Sequence, residues 1–133
     1  MTSNPTAPRL ADIEGMARAA IAALPDAFRG PSAEVVLRVE DLASDDMLDG
    51  LDMDDGFALT GLYEGIPLTE KSVADQPGQP DVIWLFRRAI LDEWAARGDV
   101  GLSDLVAHVY VHELAHHFGW SDADIATIDQ WWT

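Results

Sequence analysis

Residues 112–122 read HELAHHFGWSD and hold the side chains best suited to chemistry in a chain of 133 residues. His112 and His116 stand four apart. On an α-helix that spacing puts both imidazoles on one face, one turn from each other, where two ring nitrogens can hold one metal ion. Glu113 falls about 100° further round the helix, beside such an ion rather than on it, where a carboxylate can take a proton from a water. H-E-x-x-H on a helix is how zinc-dependent hydrolases present these groups. The expected chemistry is metal-assisted hydrolysis: zinc lowers the pKa of a water toward about 7, and Glu113 removes its proton as the water attacks a peptide carbonyl.

A catalytic zinc usually takes three protein ligands and keeps one position open. No glutamate follows Glu113 and no histidine follows His117, so the downstream candidates are Asp122, Asp124 and Asp129. Asp122 fits best, because Gly119 lets the chain turn back toward the helix face it has just left. The competing reading makes Asp122 part of the next helix start, where Ser121 and Asp124 resemble a capping pair. If Ser121 does the capping, Asp122 remains available as a ligand. His108 shares the face of His112, yet three histidines spread over about 12 Å of helix cannot reach one ion through bonds of about 2 Å. It reads as a polar helix residue. His117 points about 100° away from His116 and reads as structural, or at most as a support whose ring N–H holds a neighbouring carboxylate. Tyr63 and Tyr110 qualify as oxyanion donors by chemistry alone, and each reads more readily as packing.

These groups need a helix to carry them. Ser103 as N-cap, Asp104 in the first turn, and an apolar stripe at Leu102, Leu105, Val106, Val109, Tyr110 and Leu114 predict one over about 103–118, stopped by Gly119 in a left-handed C-cap. Upstream, Leu10, Ile13, Met16, Ala17, Ala20, Ile21 and Leu24 predict a helix over 9–23 that Pro25 ends. Ala33–Val39 reads as a strand. Residues 40–56 hold eight acids and two glycines, a solvated loop with room for a short helical turn. That loop fails as a calcium-binding hand, since Met47 and Gly56 would occupy ligand positions. A strand follows around Leu59–Tyr63, then a polar loop over 71–80, a strand over Asp81–Phe86, a helix to about Ala96 closed by Gly98, and a terminal helix over 122–132. The expected fold class is α+β, a small three- to four-stranded sheet packed against helices, with the chemically active helix near the C-terminus. The strand over 59–64 or that over 81–86 is the one to receive a peptide by strand addition.

HELAHHFGWSD, the upstream GLYEGIPLTE (61–70) and the D-x-I-x-L-F-R-x-x-I-L run (81–91) together resemble the small bacterial zincin-like metallopeptidase family, over about residues 9–132. The resemblance implies a zincin-like fold and a zinc-dependent peptidase. It places His112, His116 and Asp122 on the family's metal positions and Glu113 on the position of its general base. Zinc is the expected ion, although two histidines and a carboxylate suit other divalent ions too.

Composition agrees with one domain. Residues 1–8, with Pro5 and Pro8, read as a disordered lead-in, and 9–133 as a single domain whose 48% hydrophobic content can fill one core. There is no cysteine, which excludes disulfides and thiolate metal sites and suits a cytoplasmic protein. The N-terminus lacks the pattern of a signal peptide, and no apolar run approaches the roughly 20 residues a bilayer span needs. Eight Lys and Arg against 24 Asp and Glu give a net charge of −16. That balance disfavours nucleic acid and anionic membranes, and favours a peptide or protein substrate of basic character. All four methionines lie before residue 54, so no Met-turn follows the motif. The cleft floor falls to the 120–133 segment, where Trp120, Trp131 and Trp132 could form it or simply complete the core. The alternative to an enzyme is a non-catalytic module, stapled by the same metal, that acts by binding a protein partner. Structural zinc normally takes four protein ligands, and three convincing ones favour catalysis.

Overall fold

The computed structural model describes residues 7–25, 29, 32–65 and 81–119. Helix α1 spans Leu10–Ala22. The Arg9 N–H donates to the Asp12 carboxylate (2.7 Å), closing the first turn, and the helix stops before Pro25. Strand β1 is Val36–Glu40, three residues later than the Ala33 expected to begin it. Ser32 and Ala33 are helical, and a turn closed by the Val35 N–H to the Ser32 carbonyl (3.2 Å) leads out of them. Extended pairing begins only where the Val36 N–H finds the Asp81 carbonyl at 2.8 Å.

The acidic stretch contains more order than its charge suggests. Helix α2 spans Asp45–Gly50, with the Ser44 hydroxyl accepting from the Met47 N–H (3.2 Å) and two acids in its first turn, where the helix dipole favours them. A short 3-10 turn, Gly56–Ala58, follows; it uses the backbone up to Leu59 and delays strand β2 to Gly61–Glu64. Strand β3 is Val82–Phe86 and runs directly into helix α3, Arg87–Arg97, which ends at Gly98 in the left-handed region (φ 74°). Helix α4 spans Leu102–His117, with Gly101 rather than Ser103 at the N-cap and Asp104 in the first turn. Starting one residue earlier brings Leu102 into the core. The terminal helix expected over 122–132, the loop over 71–80 and Asp122 lie outside the described residues.

The sheet has the order β1-β3-β2, with β1 parallel and β2 antiparallel to β3. Central β3 explains the unbroken apolar run VIWLF, because both of its faces are covered. Ile83 and Leu85 face the main core with Ile13 and Ala17 of α1 and Leu105, Val106, Val109, Tyr110 and Leu114 of α4. Trp84 and Phe86 face a second cluster built from Ala43, Leu48, Leu59 and Leu62. The chain is therefore α+β, a three-stranded mixed sheet with α1 and α4 against one face. Of the two strands considered for peptide addition, β3 is paired on both sides, and among the described residues β2 is an edge. Among the described residues no helix is long and apolar enough to cross a membrane.

Candidate active site

Helix α4 divides its residues by depth. Leu102, Leu105, Val106, Val109, Tyr110, Leu114, Ala115 and His117 are buried, whereas His108, His112, Glu113 and His116 keep partial exposure along its flank. The helix closes as its glycine predicts: Gly119 adopts φ 84° and its N–H reaches the His116 carbonyl at 2.9 Å.

The rings of His112 and His116 stand 5.0 Å apart between centroids, at 75° to each other. Two imidazoles on one tetrahedral ion, each bonded at about 2 Å, place their centroids about 5 Å apart. The pair therefore fits the nitrogen half of a divalent metal site. His108 is further from His112, 6.2 Å between centroids, and does not share that spacing with both partners. Among the described residues no three His, Cys, Asp or Glu side chains form a group able to hold a metal. The third donor expected from the sequence, Asp122, lies outside them.

Edge strand β2 lies directly on α4 beside this pair. Gly61 is buried, and a Cβ there would stand 2.7 Å from Val109 Cγ1 and 3.2 Å from Glu113 Cγ. Only a glycine lets the strand backbone come so near the glutamate. Residues 58–61, His108, His112 and Glu113 line an open cleft of about 330 Å³, which also reaches the ion pair of Arg97 Nε with Glu93 (2.8 Å) on α3. The motif glutamate, one motif histidine and the start of an edge strand thus share one cleft.

The sequence model of zincin-like metallopeptidases matches residues 32–132. The chain belongs to that family. Membership implies a peptidase with a catalytic divalent metal, typically zinc. The comparison with curated proteins returns no match.

The two tyrosines weighed as oxyanion donors are engaged elsewhere. The Tyr110 hydroxyl is buried and shares a 2.9 Å hydrogen bond with Ser32 Oγ. Burial pushes its pKa above the ordinary value; the Ser32 bond and the positive charge of Arg18 oppose that shift. The Tyr63 hydroxyl donates to Asp81 Oδ2 (2.8 Å) and lies 3.2 Å from His117 Nδ1. Asp81 is the residue that sequence reasoning missed. It reads as the first position of a strand, yet it sits 2.8 Å from the ring of His117. The signal was its place at the head of the D-x-I-x-L-F run. Tyr63 belongs to GLYEG and His117 to HELAHH, so one polar residue from each of the three motifs meets at a single buried point.

Proposed function

We propose that this chain is a zinc-dependent peptidase whose metal is held by His112, His116 and Asp122 and whose general base is Glu113. The observation that carries the reading is the 5.0 Å spacing of the His112 and His116 rings, with Glu113 in the same cleft as β2. Zinc, when bound, supplies Lewis-acid polarisation and lowers the pKa of water. The chain's own groups do the remaining work. The Glu113 carboxylate accepts the proton of the attacking water and returns it to the leaving amine. The outer edge of β2 offers backbone N–H and C=O groups to an extended peptide, which would lie antiparallel or parallel to it across the mouth of the cleft. The glycine at 61 keeps that backbone within reach of Glu113.

The −16 charge supports a basic peptide or protein as substrate, drawn in by a negative field. Cleavage of a lysine-rich peptide should then slow as salt rises, because screening weakens the attraction. A salt-independent preference for neutral peptides would remove this part of the reading. The reading as a whole is tested by zinc stoichiometry and cleavage of a mixed peptide library, with Asp122→Ala beside the wild type. One zinc per chain, cleavage that a chelator abolishes, and weakened zinc binding in Asp122→Ala are expected. A chain that binds zinc and cleaves nothing would be a metal-stapled binding module instead.

A further inference from the structure

Tyr63, Asp81 and His117 form a closed polar triangle inside the core. His117 is 2% and Asp81 6% exposed. The His117 ring meets Tyr63 edge-on, with centroids 5.6 Å apart, and the Gly65 backbone packs so closely on Asp81 that a Cβ there would overlap its carboxylate. A carboxylate only accepts hydrogen bonds, so the hydrogen of His117 lies on Nδ1 and points at Asp81, the same oxygen that receives the Tyr63 hydroxyl. The triangle joins three elements: the last turn of α4, edge strand β2, and the residue that opens β3.

Stability alone does not account for it. Burying a carboxylate is costly, and a well-packed apolar trio of the same volume is often as stable or more so. What the polar contacts add is direction. The short bond from Nδ1 to Asp81, whose carboxylate Tyr63 holds in turn, sets how far the last turn of α4 is rotated and how high it sits against the sheet. His117 directly follows His116, and Tyr63 lies two residues from Gly61, where a Cβ would crowd Glu113. Metal–nitrogen distances tolerate only about 0.2 Å of error, so the end of this helix needs such a constraint.

We propose that Tyr63, Asp81 and His117 are positioning residues: they hold the last turn of α4 so that His116 meets the ion together with His112. The proposal rests on the zinc reading above. Its test compares the wild type, Asp81→Asn, Tyr63→Phe and Ser32→Ala. The last variant cuts a buried bond to the same helix seven residues before His117, at Tyr110. For each, the zinc dissociation constant is measured by chelator competition well below the unfolding temperature, and the visible spectrum is recorded with cobalt in place of zinc. Weakening of zinc binding by about 10-fold or more is expected in Asp81→Asn, the size typical when a partner that orients a ligand is removed. Tyr63→Phe should weaken it several-fold, and both should change the cobalt spectrum. Ser32→Ala should lower the unfolding temperature and leave zinc affinity unchanged. If Asp81→Asn does not fold, Tyr63→Phe, which keeps the ring, decides alone. Variants that are less stable yet bind zinc and cobalt as the wild type does would show a purely structural triangle and overturn the proposal. So would an equal loss of affinity in Ser32→Ala. A wild type that binds no zinc would overturn both the proposal and the zinc reading.

Discussion

Gly61 on strand β2 leaves open the space beside Glu113 on α4 that a side chain would fill: a Cβ at 61 would stand 3.2 Å from Glu113 Cγ. On the proposed reading, substrate backbone added to β2 would therefore run beside the glutamate proposed as general base.

Gly61→Ala follows from that spacing. The new Cβ would meet Val109 Cγ1 at 2.7 Å and Glu113 Cγ at 3.2 Å, so strand or helix must shift. Overpacking of this kind costs about 1–3 kcal/mol of stability. Misplacement by an ångström costs up to about 100-fold in rate. We expect kcat/KM for peptide cleavage to fall by one to two orders of magnitude, with zinc affinity largely kept because none of the proposed ligands lies on β2. Steady-state kinetics and zinc titration of one preparation check this. Unchanged turnover would show that β2 does not border the substrate.

Zinc should stabilise the fold by mass action. An ion that binds only the native chain contributes about 2.7 kcal/mol at a free concentration one hundred times its dissociation constant. Denaturant unfolding with zinc and with a chelator should show that difference in the wild type. In His116→Ala, which removes a partly exposed ring, it should vanish at the same zinc concentration. The two chelated proteins should unfold nearly alike.

Tyr110 gives a prediction in alkaline solution. Burial holds its phenol neutral beyond the ordinary value of 10.0, whereas the unfolded chain ionises there. Between that value and the raised native one the unfolded state binds fewer protons, so the Tyr110 contribution is intact below pH 10 and shrinks as pH rises above it. The stability gap between wild type and Tyr110→Phe should therefore narrow above pH 10. Denaturant melts of both proteins across that range read it directly, and a gap that widens would contradict the assignment.

How much was legible in the sequence depended on distance along the chain. The apolar stripe from Leu102 to Leu114 and the stop at Gly119 rest on local periodicity and backbone preference, and they placed α4 to within a residue. The apolar content of 81–86 showed a strand; that both its faces are covered came only with the fold. Which strand lay at the edge had no local signal, because pairing order is decided by contacts between distant segments. Ser32 illustrates the same limit: its turn delays β1, and its hydroxyl bonds to Tyr110, 78 residues away. The role of Asp81 was hidden for that reason, since only the folded sheet brings it to His117. The closeness of His112 and His116 was legible because both sit on one helix turn.

Glu113→Ala, measured beside the wild type for zinc content and peptide turnover together, tests the reaction most directly. Each protein should bind one zinc, because the glutamate is not a ligand. Turnover in the variant should fall by about 100-fold or more, the ordinary contribution of a general base. A Glu113→Ala protein that keeps its zinc and cleaves peptides at the wild-type rate would contradict the mechanism.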